Sequence, residues 1–150
     1  MFAKNVMSSH IVALKLGTDV FVRDAVVLLE SSGLHELPVI DQEGKPIGLV
    51  SARSILHLAL PGYAADSLLN LMKSGPDVES IYQRLKVILD SPIDCVVDAN
   101  IDVVNAESPT SAIAAMLVNL KGDSRNILVV DRTGVLIGVI TAKDLVCRQL

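Results

Sequence analysis

Hydrophobic and polar positions along the chain fall into short apolar runs typical of buried strands and longer runs with apolar residues at helical spacing. Near the C-terminus, an apolar run at 126–130 leads into the turn Asp131–Gly134, a second apolar run and a helix that begins at Thr141. The same order occurs ninety positions earlier, at Glu36–Ser54. This recurrence predicts two copies of one supersecondary unit.

Residue identities support the duplication, because six pairs within these two stretches are identical and most other pairs keep their apolar character. The identical pairs are Val39/Val129, Asp41/Asp131, Gly44/Gly134, Ile47/Ile137, Gly48/Gly138 and Ala52/Ala142. The turn glycines suit a positive φ in a hairpin. Gly48 leaves room for close approach of another backbone or of a ligand.

Each copy is predicted to run strand, helix, strand, strand, helix. The first copy has these elements at Ile11–Leu16, Val22–Ser31, Leu37–Ile40, Ile47–Val50 and Ala52–Leu60, with Gly33 as a left-handed cap after its first helix. The second copy has a strand at Ile101–Val104, a helix at Pro109–Leu120, the loop Lys121–Ser124, the second hairpin, and a helix from Ala142 to about Arg148. One unit is too small to bury the apolar face of its own sheet, so we expect the two to pack sheet to sheet.

Residues 61–90 belong to neither copy. They are predicted to form two helices, Ala65–Lys73 and Asp77–Leu89, and the second has a wide apolar face that should pack on the body or on another chain. The expected architecture is therefore α/β (α+β-like), with a first repeat at 1–60, a helical connector at 61–90 and a second repeat at 91–150.

Composition narrows the class of protein. Of the 150 residues, 51% are apolar and 20% charged, which favours a well-packed core; with 3% aromatics and no Trp, that core is aliphatic. A net charge of −4 without a basic run gives no electrostatic sign of a surface that binds nucleic acid.

The apolar runs are far shorter than the roughly 20 residues of a membrane span, and the N-terminus lacks a signal-peptide core. Cys95 and Cys147 have no metal or redox spacing, so we expect reduced thiols and a cytoplasmic protein.

Catalytic patterns are missing from the sequence. No Ser/His/Asp, Cys/His, glycine-rich phosphate loop or paired-carboxylate arrangement stands out, so we expect no enzyme activity. His10, His35 and His57 fall on three different elements, and no metal site is expected.

The ordered motifs resemble a cystathionine-β-synthase (CBS) domain. They comprise the opening at Val6–Ile11, the first helix, the Leu-Pro-Val-Ile-Asp hairpin and the closing helix, and their double occurrence resembles a tandem CBS pair, or Bateman module. The resemblance implies a regulatory module that binds an adenosine-containing ligand (AMP, ADP, ATP or S-adenosylmethionine) in a cleft between the repeats. It also implies a homodimer. No cofactor is required; the nucleotide is a regulatory ligand, with Mg²⁺ as a candidate companion ion.

The ligand signature of this family, Gly-apolar-x-Thr/Ser-x-x-Asp, separates the two copies. Gly138–Asp144 matches it in full, whereas Gly48–Ser54 keeps the hydroxyl at Ser51 and has Ser54 in place of the acid. A carboxylate can accept two ribose hydroxyl hydrogen bonds, and a charged acceptor makes strong ones. The resemblance therefore implies one nucleotide per chain, mainly at the second repeat.

Further residues complete the predicted site. Free N–H groups of the helix that begins at Thr141 favour a phosphate, apolar residues of the strand ends sandwich the adenine, and nearby cations face the phosphates. The predicted ligand-binding residues are Thr141, Asp144, Asn100, Ile101, Arg125, Ile127, Leu128, Ser51 and Arg53. Asn126 and Lys143 lie beside them.

Two alternatives remain open at this point. Thr141 and Asp144 have the spacing of a helix capping box, which needs no ligand. The whole module could also be a ligand-free dimerisation and interaction scaffold whose connector docks an effector protein, since Ser54 shows that ligand chemistry can be lost in this chain.

Overall fold

The computed structural model describes residues 1–60, 78–119 and 126–148, which form two three-stranded sheets and their helices. The first repeat contains α1 (Ala3–Val6), β1 (Leu14–Lys15), α2 (Val22–Ser32), β2 (Glu36–Ile40), β3 (Pro46–Ser51) and α3 (Ala52–Ala59). After it come α4 (Val78–Leu89) and a 3-10 turn (Ile93–Cys95). The second repeat contains β4 (Val103–Asn105), α5 (Thr110–Val118), β5 (Asn126–Val130), β6 (Leu136–Thr141) and α6 (Ala142–Cys147). The predicted α/β class is confirmed.

Both sheets have the same topology. In sheet 1, β2 lies between a parallel β1 and an antiparallel β3; in sheet 2, β5 lies between a parallel β4 and an antiparallel β6. The hairpin turns contain Gly44 at φ 86° and Gly134 at φ 88°, as their turn positions predict. Gly33 ends α2 at φ 69°, the predicted left-handed cap.

Asp131 closes the second hairpin turn. Its Oδ1 accepts the Thr133 hydroxyl at 2.6 Å and the backbone N–H groups of Thr133 and Val135 at 2.8 and 3.1 Å. The Thr133 hydroxyl and then the Val135 N–H lower the pKa of this exposed carboxyl below its ordinary 3.8. The turn is therefore built around an ionised Asp131.

Buried side chains form three clusters. The first core lies between sheet 1 and helices α2, α3 and α4, and the second core lies between sheet 2 and helices α1 and α5. The third, the inter-sheet cluster, consists of buried Leu49, Leu128 and Leu136 with partly buried neighbours that include Ile40 and Ile101. The repeats therefore pack sheet to sheet, as predicted, because the two sheets share this apolar cluster.

The segments that open the two repeats are exchanged between them. Ala3 and Val6 of α1 are fully buried in the second core, and the Ala3 N–H donates to the Ser108 carbonyl at 2.8 Å. Reciprocally, Ile93 and Val96 are buried in the first core. The sequence showed no sign of α1, since four residues are too few to show helical periodicity.

Each exchanged segment crosses the outer strand of the opposite sheet next to a glycine. Asp98 exchanges two backbone hydrogen bonds with Leu49 at 2.8 and 2.9 Å, and Ser8 does the same with Val139 at 2.9 and 3.0 Å. A Cβ at Gly48 would lie 2.8 Å from the Asp98 carbonyl oxygen. The sequence predicted close approach of either another backbone or a ligand at Gly48, and the structure shows another backbone.

Other predicted boundaries shift. The strand predicted at Ile11–Leu16 is the two-residue β1, and the one predicted at Ile101–Val104 begins two residues later, at Val103. The predicted helix Ala65–Lys73 and loop Lys121–Ser124 lie outside the described residues. Among the helices that are described, none is long and apolar enough to span a membrane.

We expect Gly48→Ala to destabilise the fold more than Gly138→Ala. The new methyl at 48 would meet a backbone carbonyl, whereas at 138 it would meet the sulfur of the Met7 side chain, which can change rotamer. Overpacking of this kind costs about 1–3 kcal/mol, and Gly48→Ala should lie at the upper end. Urea unfolding of the two variants measures the difference. Equal losses would mean that the close backbone at Asp98 is no constraint.

Candidate functional site

The register of sheet 2 gathers several predicted site residues at one end of the sheet. Thr141, the last residue of β6, pairs with Asn126, the first residue of β5. On the other side of β5, the Leu128 N–H donates to the Asp102 carbonyl at 2.9 Å. Since β4 runs parallel to β5, Asn100–Ile101 precede it at the same end. Three segments distant in sequence therefore meet at this end of the sheet.

Thr141 and Asp144 form a reciprocal cap at the start of α6. The backbone N–H and the hydroxyl of Thr141 donate to Asp144 Oδ2 at 2.9 and 3.0 Å, and the Asp144 N–H donates to the Thr141 hydroxyl at 3.1 Å. No hydrogen-bond donor from the described residues reaches the second carboxylate oxygen, Oδ1. Both residues are half-buried. The capping interpretation is confirmed, and it leaves one carboxylate oxygen for a further donor.

The equivalent cap in the first repeat is neutral. The Ser51 N–H donates to the Ser54 hydroxyl at 3.1 Å, and the Ser54 N–H donates to the Ser51 hydroxyl at 3.0 Å. Ser54 also donates its hydroxyl proton to the Ser51 carbonyl at 2.8 Å. The geometry of the cap is thus preserved at α3, but its hydroxyl proton is used internally and no charged acceptor remains.

The apolar residues of the predicted site lie on two different faces. Ile101 and Leu128 belong to the inter-sheet cluster, where Ile101 is half-buried and Leu128 is fully buried beneath it. Ile127 is fully buried in the second core, on the helix side of the sheet. Successive side chains of a strand point to opposite faces. The structure therefore brings Ile101 and Leu128 together and places Ile127 away from them.

The polar and charged members of the predicted site lie at the rim. Asn100 is exposed, and its N–H donates to Asp98 Oδ1 at 3.0 Å. Arg53 and Lys143 are exposed on the first turns of α3 and α6. Arg125 lies outside the described residues. Across the part of the chain that is described, no group of His, Cys, Asp and Glu is arranged to hold a metal ion.

Sequence reasoning missed one polar contact between the sheets. The side-chain amide of Asn126 donates to Glu36 Oε1 across the pseudo-twofold axis that relates the repeats. The two residues are ninety positions apart, and each begins the central strand of its sheet. Their equivalent positions were the available signal for this contact, because a residue near a pseudo-twofold axis can contact the equivalent residue of the other repeat.

Comparison with known proteins identifies the repeated unit. The model of the CBS domain family matches residues 3–60 and 93–149. The uncharacterized protein MJ1426 of Methanocaldococcus jannaschii is 26% identical over 156 residues, which cover 97% of this chain and 89% of that protein.

Solved structures of similar proteins share the fold over nearly their whole length. A CBS domain-containing protein of unknown function from Bacillus anthracis superposes with a TM-score of 0.76 at 21% identity, covering 98% of this chain and 91% of its own. A structure of CBSX2 in complex with AMP superposes with a TM-score of 0.69 at 23% identity, covering 99% and 95%. At these identities the likeness concerns the fold.

We expect Thr141→Ala and Asp144→Ala to destabilise the protein by about 1 kcal/mol each, since either change removes a helix cap. The double variant should cost clearly less than the sum, because both side chains act in one reciprocal pair. Denaturant unfolding of the three variants completes the cycle. Strictly additive losses would show that the two side chains act independently.

Proposed function

This chain belongs to the CBS domain family as a tandem pair, a regulatory module, and we propose that it senses an adenosine-containing ligand, mainly at the second repeat. The observation that carries the proposal is Asp144 Oδ1, which has no donor among the described residues and lies at the end of the sheet where Asn100–Ile101 also arrive. The ligands proposed are AMP, ADP, ATP and S-adenosylmethionine. Mg²⁺ is not required and would enter only with a polyphosphate.

The ribose is the part of the ligand best matched by the described residues. A carboxylate accepts hydroxyl hydrogen bonds strongly. Asp144 can offer Oδ1 to one ribose hydroxyl and Oδ2, the oxygen that also holds the cap, to the other. The half-buried Ile101 supplies an apolar surface for the adenine, with Leu128 supporting it from below. Ile127, in the second core, would act only by supporting the strand.

The phosphate contact is assigned to side chains. Helix α6 has only six residues, so its dipole and free N–H groups form a weaker anion site than the sequence predicted. Arg53 and Lys143 project from the exposed first turns of α3 and α6 and are the described cations near the cleft. Ser51 lies at the start of α3, where it contributes a hydroxyl to the first-repeat side.

The CBSX2 complex supports nucleotide chemistry for this fold, because that protein binds AMP and superposes over nearly the whole chain. Residue-level support comes from this chain itself. The carboxylate is present at 144 and absent at 54, which makes the proposed binding asymmetric.

We expect Asp144→Asn to weaken binding of the adenosine ligand by roughly 10- to 150-fold, the range for loss of a hydrogen bond to a charged acceptor. The amide keeps one oxygen for the Thr141 cap and replaces the other with a donor, so folding should be little affected. Isothermal titration calorimetry with AMP, ADP, ATP and S-adenosylmethionine measures the affinity. Ser54→Ala, at the equivalent position of the first repeat, is the matched control and should bind like wild type. Undiminished affinity in Asp144→Asn would remove Asp144 from the site.

We further expect Ser54→Asp to raise the stoichiometry from one ligand per chain towards two. This change restores the acidic residue at the start of α3, where the capping geometry already matches that of α6. Calorimetry at saturating ligand reports the stoichiometry directly. If it stays at one, the missing carboxylate is not what disables the first cleft.

The rival function, a ligand-free dimerisation and effector scaffold, is favoured by one observation. Helices α3 and α4 expose apolar side chains along an open groove, with Leu58 44% and Val87 71% exposed. Surfaces of this kind often bind proteins. The homodimer and the effector stay predictions. Absence of binding by all four ligands to the wild-type protein would leave the scaffold as the better proposal.

A further inference from the structure

We propose that the hydrogen bond between Glu36 and Asn126 couples the two repeats, so that occupancy of the second-repeat cleft is transmitted to helix α3 of the first repeat. The ligand-dependent part rests on the function proposed above. The coupling itself is a property of the protein without ligand and can be tested separately.

Both residues occupy the same position in their repeats. Asn126 is the first residue of β5 and pairs with Thr141, the cap of α6. Glu36 is the first residue of β2 and pairs with Ser51, the cap of α3. The link from one cap to the other therefore consists of a strand pair, one side-chain hydrogen bond and a second strand pair.

The Glu36–Asn126 hydrogen bond lies at the cap ends of the two sheets. At the opposite, hairpin ends the sheets are joined by a backbone hydrogen bond from the Leu136 N–H to the Gly44 carbonyl at 3.0 Å. The inter-sheet cluster consists of leucines and other apolar side chains, whose contacts have no directional preference. The ion pair Lys4–Glu107 fastens the exchanged helix α1, and the ion pair Arg23–Asp90 joins α2 to the residue that follows α4. Neither pair joins the two strand ends. A hydrogen bond is directional, so a displaced Asn126 amide changes the bond that Glu36 accepts.

The direction of transmission follows from the chemistry of the two caps. Asp144 gives the second cleft a charged acceptor, whereas Ser54 gives the first cleft none, so the ligand acts at α6. At the other end, Ile55 and Ala59 of α3 pack in the first core with Ile88 of α4. A change at the α3 cap therefore affects the packing of α3 on α4, the two helices that line the exposed apolar groove.

Coupling between sites is reciprocal, so substitutions at either end must be felt at the other. In the ligand-free protein, Glu36→Ala should increase amide hydrogen exchange at Thr141 and Asp144 by roughly 2- to 30-fold, the range for a residue within a coupled network. Asn126→Ala should do the same at Ser51 and Ser54. NMR spectra of the ligand-free variants measure both effects.

Two further variants separate coupling from a general loss of stability. Glu36→Gln keeps an acceptor oxygen for the Asn126 amide and should restore wild-type exchange at α6. Glu107→Ala breaks a different polar contact between an exchanged segment and the second repeat and should leave both caps unchanged. Equal effects from Glu107→Ala, or an effect of Glu36→Ala confined to the first repeat, would overturn the proposal.

The ligand arm uses AMP as the probe. In wild type, AMP should shift the amide resonances of Thr141 and Asp144 and also those of Ser51 and Ser54. In Glu36→Ala the shifts at Thr141 and Asp144 should persist while those at the α3 cap disappear. If AMP shifts no resonance in wild type, the proposed nucleotide binding is wrong but the coupling is not, because the coupling is tested by the exchange rates of the ligand-free protein. Persistent shifts at the α3 cap in Glu36→Ala would overturn it.

Discussion

The close approach of one backbone to another over Gly48 is the constraint on which this fold depends. Asp98 pairs with Leu49 at that point, which covers the outer edge of sheet 1, and Ser8 covers the outer edge of sheet 2 in the same way. Exposed strand edges invite pairing with other chains, so the exchange protects both edges and fastens the repeats together. The exchange also positions Asn100 of the proposed ligand site. Its N–H donates to the side chain of Asp98, the residue that crosses sheet 1 beside Gly48.

Duplication supplies two caps of the same geometry, and the residue at the third helical position decides their chemistry. Ser54 closes its cap with its hydroxyl oxygen, which accepts the Ser51 N–H, whereas Asp144 closes the other with a single carboxylate oxygen. In the proposed site, helix stability and ligand binding therefore depend on the same atoms of the second repeat. The first repeat keeps the stabilising cap without a charged acceptor, and this difference between the repeats is the basis of the asymmetric binding that we propose.

Elements with a local signal were predictable from the sequence. The hairpins, the left-handed cap at Gly33 and the pairing of Thr141 with Asp144 follow from turn glycines, periodicity and spacing within a few residues. The exchange of α1 was not predictable, because its partners lie about a hundred positions away and its helix is shorter than two turns. Alternation along a strand predicts that Ile127 and Leu128 point to opposite faces of the sheet. This was overlooked because the two residues were treated together as one apolar strand end. Glu36 was overlooked because a lone acid before a strand has no local signal.

Shared atoms also explain how binding at Asp144 can change the protein at all. A ligand with equal affinity for two states shifts neither, however tightly it binds. A donor that uses only Oδ1 would leave the cap as it is and bind silently. A ribose diol presents two hydroxyl donors, and a carboxylate that accepts both in a bidentate manner must loosen the Thr141 bonds to Oδ2. In the proposed mode, adenosine binding therefore draws on the α6 cap itself, and Thr141 transmits that change through Asn126 to Glu36.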